Sequence, residues 1–327
     1  MSLPTLMRQW QLDCYIYAPK GDASLRSHWQ QPFSPEQFSR LHRLGEAFHH
    51  AGLQWGVGLS PAGLQATCNQ ADLATLSAKL ASIRQLQIDT LWLLFDDLPA
   101  GNPELAANQL RVAECVLDSL PQTRIAVCPS YYSFDPILEE IFGDCPAGYF
   151  EQLNAGLPPS VDLLWTGNKV VSESISAADI AAATATLGRP PLLWDNYPVN
   201  DGRKTSRFLH LAPFSQRAGI DPARCRGHFS NPMNQFSLNQ LALTSLHAPL
   251  SDPCDTLALS DCDIPASLQY LLGRDWQAFQ CRGLDGMTDA EKQQRVAEYG
   301  AIDHPMAVEV VEWLNEAYRF DPNCLTE

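Results

Sequence analysis

Short apolar runs alternate with longer amphipathic stretches through the first two hundred residues of the chain and a little beyond. The runs are rich in β-branched and aromatic residues, which favour strands, and the stretches between them have helical periodicity. Strands that are apolar throughout and joined by crossover helices are typical of a parallel sheet covered on both faces. We predict strands over residues 14–19, 53–61, 90–97, 124–130, 161–167, 191–197 and 227–232.

Helices are predicted between these strands, over 34–52, 69–86, 102–120, 136–154 and 176–187. The first of them begins after Ser34, a good N-cap, and ends at Gly52. The alternation stops near residue 250, where 252–262 has the composition of a loop and the remainder reads as helices. We therefore expect a (β/α) barrel domain over 1–250 and a helical C-terminal appendage over 251–327.

Seven strands in regular alternation fit an α/β fold of the (β/α)8 TIM-barrel type whose first strand is missing. A doubly wound open sheet is the alternative. Its dinucleotide-binding version has little support, because no GxGxxG motif follows an early strand.

The charge balance narrows the classes of partner. Net charge is −15 and no basic cluster offsets it, so we expect no nucleic-acid partner. No apolar run approaches the roughly 18–20 residues of a membrane span, and the N-terminal segment lacks the apolar region of a signal peptide. Ten scattered cysteines form no CxxC pair, so reduced thiols in a cytoplasmic protein are expected, although a disulfide framework stays possible.

Polar and aromatic residues collect at the carboxyl ends of the predicted strands, where a parallel barrel carries its active site. The run TLWLLFDDLP (90–99) ends in two adjacent carboxylates, Asp96 and Asp97. Singly, such residues are more often turn formers, helix caps or packing residues than ligand contacts, but the joint pattern favours a site. The other strand-end candidates are Lys20, Tyr132, Trp194, Asn196, Asp201 and Asn231.

Carboxylates flanked by aromatic rings, amides and a lysine suit a sugar better than a phosphate. Burial and an adjacent like charge both raise a carboxyl pKa, so a pair can keep one member protonated and the other ionised. A metal-dependent barrel hydrolase is the competing hypothesis, but such sites need histidines at strand ends, and the eight histidines fall mostly in helix or loop patterns. We expect no metal and no cofactor.

Six segments together resemble glycoside hydrolase family 84, which contains the β-N-acetylglucosaminidases that include protein O-GlcNAcases and bacterial relatives once described as hyaluronidases. They are YIYAPKGD (15–22), LLFDDLP (93–99), CPSYY (128–132), LLWTGNKVVS (163–172), LLWDNYPVND (192–201) and FSNPM (229–233). The resemblance covers roughly residues 5–250. It implies a (β/α)8 barrel and a retaining mechanism in which the substrate's own acetamido oxygen attacks the anomeric carbon to give an oxazoline.

The resemblance also implies roles for individual residues. Asp96 is similar to the carboxylate that holds and polarises the acetamido N–H, and Asp97 to the general acid that later acts as base on water. Tyr132 and Trp194 lie at the positions beside the acetamido group. Sugar-hydroxyl contacts are implied for Asn196, Asp201 and Asn231, a ring contact for Lys20 and a lesser contact for Val170.

Two departures from the family pattern stand out. The family's first strand carries a glycine-rich segment of the type EGFYG, which this chain lacks, so a late start codon, a truncation and a true seven-stranded variant all stay open. Gly21 also replaces an acid that commonly follows the lysine in the family.

We therefore expect a retaining exo-β-N-acetylglucosaminidase acting on a GlcNAc-containing glycan or glycoconjugate, with no membrane partner. A catalytically impaired, sugar-binding barrel remnant is the alternative. The unpaired strand edges left by a missing strand are compatible with a dimer.

Overall fold

The computed structural model of the protein describes residues 2–217, 219–249, 252, 256–257, 259, 263–318 and 320. Seven strands form one parallel sheet in sequence order. All seven predicted strands are confirmed. They are β1 (Cys14–Tyr17), β2 (Gln54–Leu59), β3 (Thr90–Leu94), β4 (Arg124–Cys128), β5 (Asp162–Trp165), β6 (Leu192–Asp195) and β7 (Gly227–Ser230).

The sheet curls into an incomplete barrel. Each strand pairs with its neighbours in sequence, and within the described residues β1 and β7 do not pair with each other. Both edge strands are half-buried along their whole length, whereas β3 is buried throughout. Seven strands and one open gap agree with the prediction of a barrel in which one strand is missing.

Helices cover the outer face of the sheet and extend beyond it. They are α1 (Leu3–Gln9), α2 (Pro35–His50), α3 (Gln70–Arg84), α4 (Leu105–Ser119), α5 (Ile137–Phe142), α6 (Tyr149–Gly156), α7 (Ala177–Leu187), α8 (Asn239–Leu243), α9 (Ala266–Gln277), α10 (Asp289–Gly300) and α11 (Pro305–Leu314). No helix of the described ranges has both the length and the apolar character that a membrane span requires.

Local sequence explains where these helices begin and end. Ser34 caps α2 as predicted, because its side chain accepts a hydrogen bond from the backbone N–H of Gln37. The single helix predicted over 136–154 is instead two helices, α5 and α6. Gly143 (φ 98°) and Gly148 (φ 74°) lie between them with backbone angles that favour glycine, so the helix cannot continue through this segment.

A second hydrophobic cluster lies outside the barrel core. It contains Phe279, Tyr299 and Trp313 from the C-terminal helices, which confirms a helical C-terminal region, together with Leu209 and Leu238 from before residue 250. The division into domains at residue 250 stays a prediction, and most of the predicted loop over 252–262 lies outside the described residues.

Candidate active site

Asp96 and Asp97 follow β3 at its carboxyl end, and both are buried. Asp97 adopts a left-handed backbone conformation with φ 53°, which is uncommon for a residue other than glycine. The turn presents both carboxylates at the same end of the sheet. Arg26, which the sequence analysis did not single out, donates to the backbone carbonyl of Asp97 over 3.1 Å.

Two of the predicted residues contact Asp97 directly. Tyr132 donates its hydroxyl to Asp97 Oδ1 over 2.8 Å, and Lys20 donates from Nζ to Asp97 Oδ2. Lys20 Nζ also lies 3.8 Å from Asp96 Oδ2. The resemblance assigned Lys20 to the sugar ring, whereas the structure places its ammonium between the two carboxylates.

The environment of Asp96 disfavours its charged form. Burial raises the pKa of its carboxyl above the usual range and Asp97 raises it further, while Lys20 and Arg26 oppose the shift. Oδ1 of Asp96 is buried and has no hydrogen-bond partner among the described residues. A buried acceptor of this kind is ready to take an N–H or O–H from a ligand.

A second group of predicted residues lies across the site. Asn196 donates from Nδ2 to the carbonyl of Val170 over 2.9 Å, and Asn231 donates to Asn196 Oδ1 over 3.3 Å. Val170 is buried, and its N–H donates to Asp135. These contacts join the loops after β5, β6 and β7.

A cavity of about 100 Å³ lies at this end of the sheet. Five of the predicted site residues line it: Lys20, Asp96, Trp194, Asp201 and Asn231. Trp194 packs edge-on against Trp92, with ring centroids 5.2 Å apart. The other four predicted residues, which are Asp97, Tyr132, Val170 and Asn196, contact members of the same group through the hydrogen bonds described above.

A larger cavity of about 910 Å³ adjoins the first and shares Ala18, Pro19, Trp194 and Asn231 with it. All residues of β1 and β7 line it, so it occupies the gap between the two edge strands. The candidate sugar pocket therefore opens on one side toward the unpaired edges of the sheet.

The sequence did not predict a buried ion cluster formed by Asp195, Arg217 and His228. Asp195 is fully buried, and Arg217 donates to it from Nε over 2.7 Å and from Nη2 over 3.1 Å. Burial alone would raise the pKa of Asp195, but hydrogen bonds from His228 and Arg217 hold it below its usual range. Successive side chains of a strand point to opposite faces, so Asp195 lies on the opposite face of β6 from Trp194. This alternation is the sequence signal that could have indicated a separate cluster around Asp195.

Arg217 also ties a site loop to β6, because it donates to the carbonyls of Ser172 and Glu173. We expect Arg217→Met to lower the free energy of unfolding by about 3–5 kcal/mol, since it leaves the buried Asp195 carboxylate with His228 as its remaining side-chain partner. Urea denaturation at pH 7 measures the change.

The matched control for Arg217→Met is Arg207→Met. Arg207 makes comparable ion pairs with Asp285 and Glu316, but both acids are exposed, so a change of about 0–1 kcal/mol is expected. Equal losses for the two variants would contradict a special role for the buried cluster.

Within the described ranges, no group of three or more histidine, cysteine, aspartate or glutamate side chains is arranged to hold a metal ion. The chemistry available at the site is that of three carboxylates, an ammonium, a guanidinium, a phenol and two amides.

Comparisons with known proteins identify the family. The model of the family described as NAGidase, beta-N-acetylglucosaminidase, matches residues 1–269. The Protein O-GlcNAcase of Rattus norvegicus and that of Mus musculus are each 28% identical over 257 residues, which is 73% of this chain and 27% of theirs. The chain thus spans about a quarter of the length of these curated relatives.

A solved structure of a mutant Thermobaculum terrenum O-GlcNAc hydrolase superposes with a TM-score of 0.70 at 24% identity, covering 96% of this chain and 76% of that one. This likeness shows the barrel fold, and the family match over most of the chain confirms the resemblance seen in the sequence motifs. The chain belongs to the beta-N-acetylglucosaminidase family of glycoside hydrolases.

Proposed function

We propose that this chain is a retaining exo-β-N-acetylglucosaminidase, which removes terminal β-linked GlcNAc by substrate-assisted catalysis. The observation that carries the proposal is the buried Asp96–Asp97 pair beside a small cavity, with Asp96 Oδ1 left without a partner among the described residues. An amide N–H is the donor that this acceptor lacks.

In the first step, Asp96 accepts the acetamido N–H of the bound sugar. That hydrogen bond favours the ionised carboxylate and so counteracts the burial that raises the pKa of Asp96 in the empty site. It also increases the electron density on the acetamido oxygen. This oxygen attacks the anomeric carbon as the bond to the leaving oxygen breaks, which gives an oxazoline, and Asp96 takes up the amide proton as the charge develops.

Asp97, which takes a proton from solvent once Lys20 no longer pairs with it, serves as the general acid in the same step and gives that proton to the departing oxygen. It then takes a proton from the water that opens the oxazoline, and the amide proton returns from Asp96. Tyr132 orients Asp97 through the hydrogen bond to Oδ1. Since Lys20 contacts Oδ2, we propose that substrate draws the Lys20 ammonium away from Asp97 toward a sugar oxygen.

The remaining predicted residues at the site suit recognition of one sugar. Trp194 offers an apolar wall, and Asn196, Asp201 and Asn231 supply donors and acceptors for hydroxyl groups.

The curated relatives are named Protein O-GlcNAcase, which supports GlcNAc-bearing proteins as candidate substrates of this chain. We propose a GlcNAc-containing glycoconjugate as the partner, and the net charge of −15 supports a partner that is not a nucleic acid.

The stereochemical course tests the mechanism. Proton NMR during hydrolysis of an aryl β-N-acetylglucosaminide is expected to show the β-anomer of free GlcNAc first, with the α-anomer appearing later by mutarotation. Two displacements at the anomeric carbon require retention. Initial release of the α-anomer would mean direct attack by water and would overturn the proposal.

A catalytically impaired sugar-binding barrel is the second candidate. The gap between β1 and β7 favours it, because the pocket opens toward that gap and water there would weaken the electrostatic contacts. Calorimetric binding of a β-N-acetylglucosaminide together with no product in the NMR experiment would select this candidate.

A further inference from the structure

Arg26 is buried beside the two carboxylates, although it lies in the loop after β1 and far from them in sequence. A short 3-10 turn, Ala23–Leu25, precedes it. The loop is fixed to β2 because the N–H of Ser60 donates to the carbonyl of Leu25 over 2.8 Å. Arg26 also lines the cavity of about 100 Å³.

The Arg26 guanidinium hydrogen-bonds to the turn that carries the two carboxylates. Nη2 donates to the carbonyl of Asp97 over 3.1 Å and lies 3.5 Å from the carbonyl of Asp96. Nη1 donates to Ser60 Oγ over 3.4 Å and lies 4.0 Å from Asp96 Oδ2. One side chain thus contacts the backbone of both aspartates and the carboxylate of one.

These contacts matter because the backbone of the turn is strained at Asp97, where φ is 53°. A left-handed conformation at a residue other than glycine persists only when its surroundings hold it. The planar guanidinium, with several donors in fixed geometry, suits that task better than a lysine ammonium does.

We propose that Arg26 is a positioning residue for the proposed hydrolysis, holding the Asp96–Asp97 turn by its backbone carbonyls and placing a positive charge beside the Asp96 carboxylate. The inference rests on the proposed function for its kinetic readout. Arg26 makes no direct contribution to bond breaking in this account.

The charged and titratable groups around Asp96 set the expected direction of the pH effect. Lys20 and Arg26 are the two cations near it, while Asp97, Cys128 and Asp201 are the other ionisable groups beside it or in the same cavity. Removing the charge of Arg26 leaves Lys20 as the nearby cation, so the pKa of Asp96 must rise.

Two substitutions separate the effect of the Arg26 charge from that of its hydrogen bonds to the turn. Arg26→Gln removes the charge but keeps an amide donor near the carbonyls. The acid limb of kcat/KM, which reports the base of the free enzyme, is expected to move to higher pH. Arg26→Lys keeps the positive charge but loses the planar guanidinium and its fixed set of donors. Its acid limb is expected to stay in place, while kcat falls about 10- to 100-fold because the carboxylates are displaced.

Arg189→Lys is the matched control. Arg189 is also a buried arginine that donates to backbone carbonyls, those of Leu157, Pro158 and Val161, but these lie before β5, at the other end of the sheet. Arg189→Lys is expected to lower stability and to leave both the acid limb and kcat of the folded enzyme unchanged. If the Arg26 variants behave in the same way, the inference is wrong.

A spectroscopic titration tests the charge effect without turnover. The neutral-carboxyl band of Asp96 is isolated by infrared difference against Asp96→Asn, and its midpoint is expected at higher pH in Arg26→Gln than in wild type. An unchanged midpoint would overturn the inference even if the enzyme is active. Should wild type be inactive, the proposed function fails, and the infrared midpoints still decide whether Arg26 acts on Asp96. If Arg26→Gln does not fold, kcat and the acid limb of Arg26→Lys decide whether Arg26 positions the turn or only contributes to stability.

Discussion

Asp97→Asn is expected to lower kcat/KM about 10²- to 10⁴-fold on a β-N-acetylglucosaminide with an alkyl or sugar leaving group. Such a leaving oxygen must gain a proton as its bond breaks. Asp97 is the carboxylate that Tyr132 orients at the site. The expected loss on an activated nitrophenyl substrate is much smaller, because that leaving group departs as a stable anion. Initial rates on a series of leaving groups of decreasing acidity measure the difference.

Asp162→Asn is the control for the Asp97 substitution, since Asp162 is also buried but pairs with Arg124 and Arg226 at the far end of the barrel. Its effect is expected to be independent of the leaving group. An equal loss for Asp97→Asn on good and poor leaving groups would remove Asp97 from the role of general acid.

The second large effect is expected for Asp96→Asn, which should lower kcat by about 10²- to 10⁴-fold on good and poor leaving groups alike. An amide side chain cannot take up the acetamido proton, so the acetamido oxygen is a poorer nucleophile in every substrate. The two aspartates are thus distinguished by how the loss depends on the leaving group.

Fluorination of the acetyl group tests the same step by changing the substrate in place of the enzyme. Each fluorine withdraws electrons from the acetamido oxygen, so the wild-type rate is expected to fall steeply along the series. Full activity in Asp96→Asn, or a wild-type rate insensitive to fluorination, would contradict participation of the acetamido group.

Much of the scaffold could be predicted because it depends on local pattern. The apolar runs that end in Asp96–Asp97 and in Trp194 are strands, and the polar residues that follow them meet at one end of the sheet, since parallel strands all point the same way. The split of the helix over 136–154 had a signal as well, because Gly143 and Gly148 both lie inside the segment.

The missed residues depend on contacts between distant parts of the chain. Arg26 lies about seventy residues from the turn that it grips, and nothing around it in the sequence marks it as different from an exposed arginine. Arg217 lies 22 residues from Asp195 in an irregular segment. Pairings of this kind are set by how the loops close over the sheet.

The pKa of the acidic pair illustrates the same limit. Adjacency in the sequence predicts that the two carboxyls affect each other, but it does not give the extent to which either is buried. The structure places the raised pKa on Asp96, with burial as the leading cause and the charge of Asp97 as a lesser one. The burial of this turn is set by the packing of the loops around it, which no sequence pattern records.

The most direct test of the central claim is release of a fluorophore from a β-N-acetylglucosaminide by this chain, with the double variant Asp96→Asn, Asp97→Asn as the blank. The account predicts steady release by the wild type, none above background by the double variant, and none by the wild type from the matching β-glucoside, which lacks the acetamido group. Release from the β-glucoside at a comparable rate, or no release from the β-N-acetylglucosaminide, would contradict it.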